Sequence, residues 1–477
     1  MTRYPIVVDL DGTLIQTDML HESTLRMVRE HPLDALRIPS WLWAGRAKLK
    51  REVAARTSFN PATLPYNEAL LEWLRARRAE GRSIVLCTAS DQSVADAVAG
   101  RLGLFDEAIG SDGKRNLAGR RKADVLEAKY GRGGFDYAGD SARDHEVWAR
   151  SRRAIVVNAP RAVLREAQAR WTIEEVFPAH FPGFSTWRRT LRMHQWLKSV
   201  LLFVPLIAGH EFTNVSAWLA LFVAFASFCL CASSVYITND LLDLESDRMH
   251  PRKRLRPFAS GQMPAWAGAV LIPVLLASSI ALGGLVGPDF LAWLLAYFVI
   301  TWAYSWSLKR MLLVDCLALA MLYTLRIIAG AATVGHALSF WLLAFSVFLF
   351  LSLAFVKRYA ELELLLLNGR KKMHGRGYHT SDAPLVQAMG LAAGYSAALV
   401  LALYINSEAV SMLYRTPEVI WGTVPVLLFW ISWMWLQAHR GKMHDDPMVF
   451  AVKDRASWVA GGLFLAVLIA GTARWPW

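Results

Sequence analysis

Two groups of carboxylates stand out in this chain by type and spacing. In PIVVDLDGTL (residues 5–14) an apolar run delivers Asp9 and Asp11 to its end, and strand alternation puts both on one side while Gly12 and Thr13 open a turn. In NDLLDLESDRMHPRKRLRPFASG (residues 239–261), Asn239, Asp240, Asp243 and Asp247 are followed by Arg252, Lys253, Arg254 and Arg256. If this stretch is helical, the three aspartates fall at i, i+3 and i+7 and share one face. Carboxylates so placed repel one another and cost too much to bury alone, which makes a divalent cation their natural partner. Mg²⁺ binds few protein carboxylates and completes its shell with water and phosphate oxygens, and the basic run can hold the same phosphates.

The elements that must position these groups differ in kind. Of the 477 residues 55% are hydrophobic and 20 are Trp, too apolar for an ordinary soluble protein. Up to about residue 180 the chain mixes charge with apolar residues, whereas from Trp196 onward apolar runs of about 18 to 24 residues recur between short charged loops. The expected organisation is therefore multidomain. A soluble head at 1–160 carries helices at about 18–80, a linker with an interfacial helix covers 161–195, and an all-α polytopic membrane domain covers 196–477. Trp187, Arg188, Arg189, Arg192, Trp196 and Lys198 suit the interfacial helix.

About nine spans are predicted, near 196–209, 215–238, 264–286, 289–306, 311–333, 338–356, 385–406, 418–437 and 456–472. Positive charge follows every second span: Arg248 to Arg256, Lys309 and Arg310, then Lys357, Arg358, Arg370, Lys371, Lys372 and Arg376, then Arg440, Lys442, Lys453 and Arg455. The alternate loops near 210–214 and 334–337 carry almost none. The positive-inside rule then predicts a cytoplasmic head and an external Trp477, in the inner membrane if the cell is bacterial. The net charge of +13 sits largely in these loops, pointing to the membrane surface and phosphate-bearing lipids and away from nucleic acid. No secretory signal is expected, since Met1 to Tyr4 leads straight into a strand pattern. Cys87, Cys229, Cys231 and Cys316 lack metal or redox spacing and should be buried thiols.

The head's motifs continue beyond Asp11. SIVLCTAS (83–90) is a second strand pattern ending in Thr88, Lys122 opens the helix pattern KADVLEAKYG, and FDYAGDSARD (135–144) brings Asp140 and Asp144. In order and type these resemble the haloacid dehalogenase (HAD) superfamily of phosphatases. The resemblance implies an α/β, Rossmann-like parallel sheet with flanking helices, the site at the carboxyl ends of its strands, and residues 18–80 as a helical cap. It further implies that Asp9 attacks phosphorus, Asp11 protonates the leaving oxygen and later activates water, and Thr88 and Lys122 hold the phosphoryl oxygens. Asp9, Asp140 and Asp144 would hold Mg²⁺. Lys114 is the alternative cation, and a binding-only copy of the domain is the alternative to an active one.

NDxxDxxxD after the second span resembles the aspartate motif of the UbiA superfamily of intramembrane prenyltransferases, whose nine helices surround a cavity. DRMHPRKRLRPFASG, AYSWSLKRMLLVDCLALAMLYTLRIIAGAATVG (303–335) and FVKRYAELE (355–363) are similar to the decaprenyl-phosphate phosphoribosyltransferase branch. Aromatic prenyltransferases carry a second DxxxD after the sixth span, where this chain reads KRYAELELLLL. The resemblance implies Mg²⁺ at Asn239, Asp240, Asp243 and Asp247, with phosphates oriented by Arg252, Lys253, Arg256, Tyr304, Lys309, Lys357 and Arg358. Arg326 lies inside the fifth span, where a lone charge is expensive; it either faces the cavity or makes a structural pair with Asp315 or an acidic helix end.

The implied substrates are a polyprenyl lipid and a phosphorylated sugar donor, with a polyprenyl phosphate attacking the anomeric carbon of 5-phosphoribosyl diphosphate. The head would then remove the 5-phosphate. Two other readings stand beside this one: an aromatic prenyltransferase using a polyprenyl diphosphate, and a lipid-binding scaffold with inactive sites.

Overall fold

The computed structural model describes residues 4–112, 115–179, 181–367, 369, 376–443 and 446–473. Lys114, Arg370, Lys371, Lys372 and Trp477, named above, lie outside the described residues. The chain divides into two compact units, one of Met1–Leu191 with Tyr236–Ile272 and the other of Arg192–Val235 with Pro273–Trp477.

The first unit is built on six parallel strands: β1 (Ile6–Val8), β2 (Ile84–Asp91), β3 (Glu107–Ser111), β4 (Asp136–Gly139), β5 (Arg153–Val157) and β6 (Ile173–Phe177), in the order β3-β2-β1-β4-β5-β6. A parallel sheet is covered on both faces, so its central strands read as continuous apolar runs such as IVV and IVLC. Ile6, Val8, Leu86, Ala138 and Ile155 pack on one face with Leu70, Leu74 and Val98, while Val7, Val85, Cys87, Tyr137 and Val156 pack on the other with Leu126 and Trp148. Val8 pairs with both Leu86 and Ala138, which sets the carboxyl ends of β1, β2 and β4 side by side.

β6 corrects the expected boundary, because it lies in the stretch read as linker. TIEEVF looks too acidic and too short for a core strand. It pairs only with β5 at the sheet edge, where Glu174 is taken up by Arg82 at 2.6 Å. The expected cap is also narrower. Helix Glu68–Ala79, capped by Asn67, buries Leu70, Leu71 and Leu74 in the sheet core. A separate small core of Met27, Trp41, Leu49 and Val53 is built by helices Met19–Glu30, Ile38–Trp43 and Arg46–Arg56.

Among the described residues seven helices are long and apolar enough to cross a membrane: Val215–Leu242, Ala265–Val286, Val314–Val334, Phe340–Leu367, Thr380–Ile405, Pro417–His439 and Arg455–Thr472. Pro288–Trp306 adds a 19-residue apolar helix. The first predicted span takes another form, a 3-10 run Met193–Phe203 followed by the short helix Val204–Ala208. Among the described residues the expected count of nine is thus not confirmed. In the second unit helices touch through small residues: a Cβ on Gly330 would stand 2.1 Å from the Leu202 carbonyl oxygen, and the Ser227 and Ser279 hydroxyls each donate to the other's carbonyl at 2.8 and 2.7 Å. All four cysteines are free and buried, as expected.

Candidate functional site

The head's site forms where β1, β2 and β4 end. Asp9, nine-tenths buried, accepts the Leu10 N–H at 2.8 Å and faces the Lys122 ammonium at 2.8 Å. Lys122 also donates to the Tyr137 hydroxyl at 2.9 Å, and that hydroxyl donates to Asp144 at 2.9 Å. Asp144 is held in turn by the N–H groups of Asp140 and Ser141 at 3.1 and 3.0 Å. Oxygens of Asp9, Asp140 and Asp144 all lie within 4.8 Å of one another. Gly12, at φ +76°, is what lets them meet, since a Cβ there would sit 2.3 Å from an Asp140 oxygen.

Electrostatics agrees with a cation there. Burial and then the charges of Asp144 and Asp9 push the Asp140 carboxyl well above its usual range. Burial also raises Asp9, although Lys122 opposes the shift. Burial works against the charge on Lys122, but Asp9 and Asp144 outweigh it and hold the lysine charged. Three crowded, desolvated carboxylates facing one lysine have the donor set and the charge deficit that suit Mg²⁺.

Asp11 accepts from the Met19 N–H at 2.8 Å and the Ser90 hydroxyl at 2.7 Å, and burial followed by the Asp18 charge pushes its carboxyl up to about 7. A carboxyl that keeps its proton near neutrality can serve as a general acid. Thr88 is fully buried and accepts the Ser90 N–H at 3.0 Å. Sequence reasoning missed Ser90, Tyr137 and Lys50. Lys50, on the cap helix Arg46–Arg56, donates to the Ala89 carbonyl at 2.7 Å, one residue past Thr88. Nothing in RAKLKREVAAR singles it out from its basic neighbours.

The aspartate segment, in the same unit, differs from the single helix face expected of it. Helix Val215–Leu242 stops at Asp243, whose φ of −101° and ψ of 13° leave the helical region, and a second helix resumes at Leu244–Met249. Asp240 and Asp247, both about 2% exposed, are brought together on one guanidinium, Arg256, at 3.0 and 2.5 Å. Asp243 turns instead to Arg29 at 3.5 Å. Asn239 is half-buried in the last turn of its helix, while Arg252 and Lys253 are exposed. Burial raises the Asp247 carboxyl, with Arg256 opposing.

Within the second unit the predicted cations separate into two networks. Lys357 reaches Asp446 at 3.3 Å, and Asp446 also takes Lys198 at 2.8 Å and the Tyr323 hydroxyl at 3.2 Å. Burial opposes the Asp446 charge, but Lys198 and Lys357 outweigh it and hold the carboxyl below its usual range. Arg358, fully buried, is instead paired with Asp315 at 2.6 Å and with Glu361, and Tyr378 donates to Asp315 at 2.7 Å. Asp315 therefore answers Arg358 and not Arg326. Arg326 donates to the Tyr297 hydroxyl at 2.9 Å and lies 4.7 Å from the centre of that ring. Tyr304 and Lys309 are half-buried. Asp446 was missed because its partners lie far away in sequence; its one signal is that it is an acid in a loop between spans.

Residues 200–468, more than half of the chain, match the UbiA prenyltransferase family. The chain belongs to that family. Its UbiA part follows a head whose residues 6–148 match the haloacid dehalogenase-like hydrolases, so both parts belong to families of enzymes and the UbiA part makes this an integral membrane protein. The whole chain is similar to the uncharacterized protein y4nM of Sinorhizobium fredii (strain NBRC 101917 / NGR234), 38% identical over 98% of this chain and 91% of that one. Nodulation protein NoeC of Azorhizobium caulinodans is 38% identical over 58% of this chain and 90% of its own length. Decaprenyl-phosphate phosphoribosyltransferase of Mycolicibacterium smegmatis is 34% identical over 41% of this chain and 62% of its own length, so less than two thirds of that enzyme is matched.

Proposed function

We propose that the UbiA part transfers a 5-phosphoribosyl group from 5-phosphoribosyl diphosphate to a polyprenyl phosphate, and that the HAD-like head removes the 5-phosphate from the product. The observation that carries this reading is the 34% identity to a decaprenyl-phosphate phosphoribosyltransferase over 198 residues. It is supported by KRYAELELLLL, which offers cations where a second DxxxD would serve another diphosphate.

In the transfer, Asp240 and Asp247 would hold Mg²⁺, with Asn239 and Asp243 as further ligands. Both carboxylates are buried and meet at one arginine, and two acids brought together in this way form a donor set that suits a divalent cation. The metal supplies charge stabilisation to the departing diphosphate. Arg256, Arg252 and Lys253 orient phosphate oxygens, as Lys357, Lys309 and Tyr304 do on their own unit. The lipid phosphate is already anionic at neutral pH and needs no base to attack the anomeric carbon; the C–O bond to the diphosphate breaks as the new one forms.

In the head, Asp9, Asp140 and Asp144 would hold Mg²⁺, which offsets the repulsion between a carboxylate and a phosphate. The Asp9 carboxylate attacks phosphorus, Asp11 gives its proton to the leaving ribose oxygen, and Asp11 then takes a proton from the water that releases phosphate. Covalent linkage raises the concentration of product at the head without new contacts. The head and its site are read as cytoplasmic, from the positive-inside pattern.

The test is transfer of radiolabel from phosphoribosyl diphosphate to polyprenyl phosphate by purified protein with Mg²⁺, with Asp240→Ala as control. Label should enter lipid in the parent alone, and Asp9→Asn should leave the labelled lipid carrying its phosphomonoester. Absence of transfer from this donor, together with transfer from a polyprenyl diphosphate to an aromatic acceptor, would overturn the reading.

A further inference from the structure

The head carries an open cleft of about 790 Å³ whose walls come from the cap helix Arg46–Arg56 and from the sheet domain at Asn116 and Arg121. Four cations line it: Arg46, Lys48, Arg51 and Arg121. Its one carboxylate, Glu52, is taken by Arg56 at 2.5 Å, and among the described residues none of the four cations is ion-paired. The cap helix also opens here, at Gly45, with no side chain capping its first N–H groups, so its positive end adds to the field.

A basic surface alone would be a solvated face; here the wall residues lead into the chemistry. Arg51 is followed back along the helix by Lys50, which bonds the Ala89 carbonyl at 2.7 Å. Arg121 precedes Lys122, which faces Asp9 at 2.8 Å. Each wall thus sends one lysine to the reacting centre and keeps its other cations for the cleft. The cleft is thus joined to the Asp9 site through adjacent residues on both of its walls.

We infer that the cleft is the subsite for a second anionic phosphate group carried by the head's own substrate. The head is therefore selective for a phosphomonoester whose other end bears a phosphate ester, as a phosphoribosyl lipid does. The inference rests on the phosphatase reading of the head and not on the transferase reading of the UbiA part. Clustered, unneutralised Lys and Arg lining one cleft favour a phosphate through charge-assisted hydrogen bonds and discriminate little among neutral bodies.

The test uses the full chain carrying Asp9→Asn, to stop turnover, in phosphatidylcholine nanodiscs. Calorimetry compares ribose 5-phosphate with ribose 1,5-bisphosphate. The bisphosphate should bind at least about tenfold more tightly, and Lys48→Gln/Arg51→Gln/Arg121→Gln, all exposed positions, should cut that advantage to about twofold while leaving ribose 5-phosphate binding unchanged. An advantage under about threefold in the parent, or one retained in the triple variant, overturns the inference. So does an advantage that disappears once phosphatidylglycerol is added, since the cleft would then be taken by a bilayer headgroup. Release of phosphate by the wild-type chain is measured alongside: if neither compound is hydrolysed the phosphatase reading fails, while the affinity ratio still decides the subsite.

Discussion

Glu22 on the first cap helix and Arg248 on the helix after the aspartates form a forked pair, with Nη1–Oε2 at 2.8 Å and Nη2–Oε1 at 2.5 Å. The Glu22 and Arg248 side chains are 12% and 7% exposed, and Arg248 Nε donates to the Ala259 carbonyl at 2.9 Å. Glu22→Gln keeps the shape and removes the charge, leaving a nearly buried guanidinium facing neutral acceptors. Breaking one side of a buried pair costs about 3–5 kcal/mol, and the residual exposure points to the lower end, about 3 kcal/mol. Neighbouring pairs will not replace it, since Arg26–Glu245 and Arg29–Asp243 are 16% to 41% exposed and such pairs contribute little. Local opening of this docking should then rise about 100-fold or more. Hydrogen exchange of the full chain in detergent should show that acceleration at amides of residues 19–30 and 244–249. Glu22→Gln/Arg248→Met should recover most of the protection, because no unpaired charge remains. Exchange within about threefold of wild type in Glu22→Gln would refute the reasoning.

Asp446→Asn should lower the thermal midpoint strongly, by a cost of about 3–5 kcal/mol, because Lys198 and Lys357 lose their shared carboxylate; adding Lys198→Met should restore part of it, and an unchanged midpoint would argue against the network. Gly330→Ala should destabilise by about 1–3 kcal/mol, since the new methyl meets the Leu202 carbonyl, whereas Gly461→Ala, in open space, should not; equal melting of the two variants would contradict the close packing. Burial works against the charge on Asp136, but Arg152 and Arg82 outweigh it and hold this carboxyl below the ordinary 3.8. A depressed carboxyl stabilises the fold above about pH 3.8 and loses that contribution as pH falls further, so melting temperatures at pH 6 and pH 3 should differ less in Asp136→Asn than in the parent. An undiminished difference would place the acid sensitivity elsewhere.

Much of the candidate site is legible in the sequence because its residues are local along the chain. Asp9 and Asp11 share one turn, Asp140 and Asp144 another, and the spans show themselves by length and apolarity. The choice of Lys122 also rested on local pattern, and its 2.8 Å contact with Asp9 follows from opening a helix against the strand ends. The aspartate motif is visible as a run of acids, but not its geometry: an i, i+3, i+7 face requires an unbroken helix, and the chain leaves the helical region at Asp243.

Periodicity and residue spacing encode the parallel-sheet class of the head, the membrane character of the rest and the order of the candidate site residues, so these can be read along the chain. Which charges meet is settled in three dimensions alone. Asp446 lies 248 residues from Lys198, Arg358 is matched to Asp315 and Arg326 to Tyr297, and Lys50 enters the head's site from a helix that looks uniformly basic. Those pairings follow from burial, where a charge must find its partner in space, and distance along the chain carries no record of that requirement.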